Sequence, residues 1–251
     1  DTHTHLNHKS FNNDRNEVLK RAKEVGVKKI ITILSDFENE DIIKFQKLLE
    51  NDFIYGACGI HPHDAKKSSM LWNKLIEILK LPKIIAVGEI GLDYHYLNSP
   101  KDKQIEIFEK QLELAEKLNL PVIVHSREAF TDTYRILKNS KIKKVVLHCF
   151  SGDEEEMKLY LDLGFYISFA GPVTFKNALK TKELVKIAPT ERILLETDSP
   201  YLAPQVFRGK RNEPSYIKYI YEEVAKLKGI SIEKLSEEIF KNVITLFPEI
   251  L

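Results

Sequence analysis

The feature that most limits how this chain can fold is an alternation, sustained from end to end, of short apolar β-branched runs with amphipathic stretches. Candidate strands end at residues 32–34 (in VKKIITIL), 54–60 (IYGACGI), 84–89 (IIAVGE), 122–125 (VIVH), 145–148 (VVLH), 165–169 (FYISF) and 193–197 (ILLET). Helical patterns lie between them at 14–25, 38–49, 70–79, 101–118, 128–137, 154–163 and 175–187, and two more, 214–228 and 232–245, close the chain. Strands that alternate with helices build βαβ units and a parallel sheet. Seven strands are visible, and the residues leading into DTHTH supply an eighth. The chain opens on Asp1 rather than methionine, so residues are expected upstream and the first strand is expected to be truncated at its start.

Eight βα units in 251 residues fit an α/β fold of the (β/α)8 TIM-barrel type. A doubly wound open sheet is the alternative, but no Gly-x-Gly-x-x-Gly turn follows the first strand. No linker, repeat or low-complexity stretch interrupts the pattern, so one domain spanning 1–251 is expected. Composition narrows the function. With 38 Lys+Arg against 37 Asp+Glu, the net charge of +1 argues against a surface that coats nucleic acid through global basicity. The two cysteines, Cys58 and Cys149, form no Cys-x-x-Cys pair, which excludes a zinc ribbon and a disulfide scaffold. No apolar run reaches the ~18 residues of a membrane span, and no signal-peptide pattern is present. A cytoplasmic protein without membrane or obligate protein partner is expected.

The polar residues of interest share one address. His3/His5, His61/His63, Glu89, His125, His148 and Asp198 all sit at or just past the C-terminal end of a candidate strand, and a barrel gathers those ends at one mouth. His3 and His5, two apart on a strand, point to the same face and can form half of a metal site. His125 and His148 end adjacent strands and can reach one ion. Glu89 and Asp198 end apolar strands, where a carboxylate is costly unless paired or metal-bound; Glu89 could give one oxygen to each of two cations, and Asp198 could alternatively cap a turn before Ser199-Pro200. Four histidines and two carboxylates make a ligand set for two divalent ions, Mg²⁺, Mn²⁺ or Zn²⁺. Such a pair would acidify a water and clamp the oxygens of a displacement at phosphorus. His61 and His63 exceed that ligand count and read as neighbours of the ligands or phosphate contacts. Only seven of the 38 basic residues are arginine. Arg127, Arg208 and Arg211 lie in short polar segments, where the guanidinium fork suits phosphate oxygens.

Together and in this order, DTHTHL (1–6), GIHPH (59–63), GEIGLDY (88–94), PVIVHSR (121–127), HCFSG (148–152), ISFAGP (167–172), ETDSPYLAP (196–204) and RGKRNEP (208–214) resemble the TatD family of metal-dependent DNases in the amidohydrolase superfamily. The resemblance covers the whole chain. It implies a distorted TIM barrel that hydrolyses DNA phosphodiesters, commonly as a 3′→5′ exonuclease on single strands or strand ends, with divalent metal. By position it places metal ligands at His3, His5, Glu89, His125, His148 and Asp198. Glu89 then bridges, and Asp198 also acts as general base, which makes these two the catalytic pair. Relatives that act on cyclic amides bridge their metals with a carboxylated lysine, and no lysine lies near the end of this strand. Two rivals stand beside this reading. One is a metal-dependent hydrolase of an ester or amide such as D-aminoacyl-tRNA; the other is a non-catalytic binding protein on a barrel.

Overall fold

The computed structural model describes residues 1–251. Seven strands form one parallel sheet in sequential order: β1 (Ile30–Leu34), β2 (Ile54–Cys58), β3 (Ile84–Asp93), β4 (Val122–Arg127), β5 (Val145–Leu147), β6 (Tyr166–Phe169) and β7 (Ile193–Leu195). All but the mouth end of β4 are buried throughout, as expected of strands covered on both faces. Residues 1–5 close the curl. Thr4 bridges in parallel to Thr32 on one side and Ser199 on the other, and the backbone runs Thr4 N–H to Ile31 O, Thr2 N–H to Leu195 O and His5 N–H to Ser199 O. These residues occupy the place of the eighth strand.

Nine helices surround the sheet: α1 (Arg15–Glu24), α2 (Asn39–Leu49), α3 (Ser68–Ile78), α4 (Lys101–Leu118), α5 (Phe130–Asn139), α6 (Glu154–Asp162), α7 (Leu179–Ile187), α8 (Ile217–Lys228) and α9 (Ile232–Leu246). α4 shows why a helix forms where it does. Gln104, Ile107, Phe108, Gln111, Leu112 and Ala115 are buried on one face, at the three- and four-residue spacing that makes a single stripe. The two glutamines in that stripe are structural clamps. Gln111 accepts from Ile60 N–H at 2.7 Å and donates to Ile60 O at 3.0 Å. Gln104 accepts from Asp93 N–H at 2.8 Å and donates to Asp93 O and Ser99 O. α4 thereby fixes the mouth ends of β2 and β3.

Three boundaries differ from the sequence expectation by three residues or more. β3 runs four residues past Glu89, because the chain bulges between Gly88 and Ile90 and then pairs again with β4 up to Asp93–Arg127. α7 starts at Leu179 rather than 175: Phe175 is extended and the Lys176 N–H is taken by Gln205 Oε1. α8 starts at Ile217, after a short 3-10 turn at Pro214–Tyr216. Gly91 is paired with His125 in the ladder. Its φ is +134°, and a Cβ there would lie 2.0 Å from the His125 carbonyl oxygen. Only glycine permits that approach, which sets the spacing between Glu89 and His125.

Candidate metal centre

The loops that follow the parallel strands meet at one mouth, and five of the seven non-glycine residues with positive φ lie there: Leu97, Glu128, Cys149, Asp198 and Leu202. Left-handed backbone at such residues costs of order 1–3 kcal/mol each and collects where geometry is over-determined. Asp198 is one of them, with φ +55° and its N–H donating to His3 O at 2.9 Å.

Six of the residues expected to act together do come together. Glu89 lies at the centre, 4% exposed. Its Oε2 faces His3 Nε2 at 3.5 Å and His5 Nε2 at 3.9 Å. Its Oε1 faces His125 Nδ1 at 2.9 Å and His148 Nε2 at 3.1 Å. Asp198 Oδ1 is 3.4 Å from His5 Nε2 and 3.7 Å from His3 Nε2. Three overlapping groups have donor atoms close enough to hold a cation: His3–His5–Asp198, His3–Glu89–His148 and His61–Glu89–His125. The donors fit a divalent ion. The Nε2 atoms of His3 and His5 face each other at 3.3 Å, and one carboxylate oxygen faces several ring nitrogens, an arrangement of lone pairs that a cation satisfies.

Ring tautomers separate ligands from neighbours. A metal-bound histidine usually donates its other N–H to a carboxylate or carbonyl. His148 offers Nδ1 to Glu196 Oε1 at 2.8 Å, and His125 offers Nε2 to Asp93 Oδ2 at 3.1 Å. Each leaves its remaining nitrogen for an ion. His61 behaves in the opposite way: its Nδ1 accepts the His63 N–H at 3.2 Å, so the neutral ring carries its proton on Nε2, 3.5 Å from Glu89 Oε1. That makes His61 a donor toward the centre, although its distances alone would admit it as a ligand. His63 turns aside and shares Asp93, Nε2 to Oδ2 at 3.0 Å.

The titration behaviour follows from burial and partners. Burial alone would raise Glu89, but the charge of His148 and hydrogen bonds from His125 and His148 outweigh it and hold the carboxyl well below its usual range. Asp198 is lowered against its burial by a hydrogen bond from His5 and by the charges of His148 and His3. Burial opposes a charged His148, yet Glu196 and Glu89 raise it well above the ordinary value. Burial, with His148 beside it, lowers His3, and burial lowers His61. Asp93 is also lowered, since hydrogen bonds from His125, the Tyr96 N–H and His63 overcome its burial. The carboxylates are thus ionised.

The three arginines part company. Arg127, half-buried at the end of β4, has a guanidinium with no hydrogen bond or ion pair that lies over the Tyr96 ring at 4.9 Å. Arg208 is exposed and lies over Phe175 at 4.5 Å, also without a carboxylate. Arg211 corrects the sequence expectation. Its two Nη atoms each meet an Asp14 carboxylate oxygen at 2.7 Å, and Nη1 also meets Ser10 O, so its fork is occupied in tying the β7 loop to α1. The sequence reading also missed Asp93 and Glu196. Both are carboxylates in buried strand ends, and the cost argument applied to Glu89 would have flagged them.

The chain is similar along its whole length to several known proteins. A family model described as TatD related DNase matches residues 1–248. An uncharacterised metal-dependent hydrolase of Bacillus subtilis, YabD, is 44% identical over 253 residues, 98% of each chain. The 3′-5′ ssDNA/RNA exonuclease TatD of Pantoea ananatis is 34% identical over 258 residues, again 98% of each. The crystal structure of YJJV, a TatD homologue of Escherichia coli K12, superposes with a TM-score of 0.92 at 32% identity, covering 99% of this chain and 97% of that one.

Proposed function

The chain belongs to the TatD-related DNase family of metal-dependent hydrolases, and from that premise we propose that it hydrolyses DNA phosphodiester bonds at the end of a single strand, as a 3′→5′ exonuclease with two divalent cations. The observation that carries this reading is the position of Glu89, with one oxygen turned to His3 and His5 and the other to His125 and His148. The relative named as a 3′-5′ ssDNA/RNA exonuclease supports the choice of substrate.

Cations held there would acidify a water and offset charge on the phosphate. The chain's own residues do the rest. Asp198, ionised and beside His5, takes the proton from the attacking water. Arg127, its fork unclaimed and its plane stacked on Tyr96, orients the scissile phosphate bidentately. His61 donates from Nε2 to a phosphate oxygen that enters beside Glu89. Glu196 and Asp93 hold His148 and His125 in the ring orientation their roles need.

The test is metal-dependent cleavage of a 3′-labelled oligonucleotide, with aminoacyl-tRNA assayed in parallel. Asp198→Asn should fold normally and lose about 10²–10⁴ in turnover, the usual weight of a positioned general base, and Glu89→Ala should abolish it. Full nuclease activity in either variant, or cleavage of the aminoacyl ester alone, overturns the proposal.

A further inference from the structure

The rim of the mouth is electrically lopsided. Residues 171–182, after β6, and residues 199–212, after β7, contain no aspartate or glutamate. The two segments are neighbours: Gln205 N–H donates to Thr174 Oγ1 at 2.7 Å, Lys176 N–H donates to Gln205 Oε1, and Arg208 covers Phe175. Of their cations, Lys182 pairs with Glu223 and Arg211 with Asp14. Lys176, Lys180, Arg208 and Lys210 are exposed and pair with no carboxylate. Acidic residues cluster elsewhere on the rim, with Asp36, Glu38, Glu40 and Asp41 after β1 and a run of four from Asp153 after β5, beside single ones at Asp64 after β2 and Glu128 after β4.

The same sector carries exposed apolar side chains. Tyr201 is 50% exposed and Val206 63% exposed. The Tyr201 ring stands edge-on to His5 at 5.8 Å, so it begins at the metal centre and the cations continue outward from it. Unpaired cations interleaved with an exposed aromatic ring are what a single strand needs, since its phosphates seek charge and its unstacked bases seek a π-face. A duplex offers the first and hides the second.

The geometry points to a strand path: the nucleic acid leaves the metal centre across the β6–β7 side of the rim, its first base resting on Tyr201 and its following phosphates on Lys176, Lys180, Arg208 and Lys210. This inference rests on the nuclease reading above and adds where the strand runs. The acidic β1 and β5 loops repel the backbone and disfavour paths across their sides of the mouth.

The experiment uses the full chain with added Mn²⁺ and compares a small diester, bis-p-nitrophenyl phosphate, with single-stranded di-, tetra- and octanucleotides. In the unmodified protein KM falls as the oligonucleotide lengthens. Lys176→Gln/Lys180→Gln/Lys210→Gln should remove most of that gain, raise KM for the octanucleotide about tenfold, and make its log–log salt slope less negative by about 2, from ~0.7 per single-strand phosphate contact. Turnover of the small diester should stay the same. Tyr201→Ala should raise KM for every oligonucleotide about tenfold, in line with loss of one base stack, and Tyr201→Phe should restore it. Unchanged length dependence and salt slope in the triple variant overturn the path while leaving the nuclease reading intact. Turnover of the small diester without cleavage of any oligonucleotide overturns both.

Discussion

Glu196 offers the sharpest separation of architecture from chemistry. It is 1% exposed and accepts three hydrogen bonds: from His148 Nδ1 at 2.8 Å, Cys149 N–H at 2.7 Å and Ser168 Oγ at 2.7 Å. In Glu196→Gln the amide oxygen can keep the first two, and the new NH₂ can donate to Ser168, whose hydroxyl rotates to accept. No buried polar atom is orphaned, so the fold should be retained. What disappears is the negative charge behind His148, and loss of such a partner typically costs 10–100-fold in metal affinity, or about 1.4–2.8 kcal/mol. Glu196→Ala instead strands three donors. At a lower bound of ~1 kcal/mol each this costs about 3 kcal/mol, or roughly 6–12 °C in Tm for a chain of this size. Chelator-competition titration reads the first effect and thermal unfolding in chelator reads the second. A glutamine variant that binds metal like the unmodified protein would refute the orienting role, as would an alanine variant that melts with it.

Other expectations follow from the same contacts. Metal at a hundred times its dissociation constant should stabilise the protein by about 2.7 kcal/mol, a Tm rise of roughly 5–11 °C that Glu89→Ala loses; scanning calorimetry with and without chelator checks it. Arg211→Ala should lower Tm by about 2–4 °C, the worth of a half-exposed bidentate pair, with KM for an oligonucleotide unchanged. That gap depends on pH with a definite sign: the hydrogen bond and charge of Arg211 depress Asp14 below its ordinary 3.8, so the stabilisation is present above about pH 4 and fades as pH falls through the depressed value. Melting curves of both proteins across that range should converge at the acid end. Gly91→Ala places a methyl against the His125 carbonyl and should displace β4, so that soluble protein, if recovered, binds metal weakly by the same titration.

What the sequence disclosed, and what it hid, divides by range. α4 was legible to the residue because its stripe of Ile107, Phe108, Leu112 and Ala115 is a local signal. The strands were legible because a parallel sheet buried on both faces reads as continuous apolar runs. Glu89 and Asp198 stood out because a carboxylate ending such a run costs free energy without a partner, and His3, His5, His125 and His148 because they end strands that meet at one mouth. The far end of β3 was not legible, since the bulge at Gly88 breaks the two-residue period on which a strand is recognised. Nor was the fate of Arg211, whose partner Asp14 lies 197 residues away; a guanidinium that orients phosphate and one that ties two loops together look the same in a sequence.

The charge balance makes the same point about scale. A net charge of +1 sums over a surface, whereas a strand is steered by the sector it crosses. On this rim acidic residues cluster in the β1 and β5 loops and are absent from residues 171–182 and 199–212, so the field has direction although its total is near zero. With about four cations in the free sector, the salt slope for a single strand should lie near −3, shallow beside proteins that grip many phosphates. The binding that remains at high salt must then come from Tyr201 and the metal centre, contacts that release few counterions. A steep slope in chelator-treated protein would mean that lysines elsewhere on the surface hold the strand, and the directional argument would fail with it.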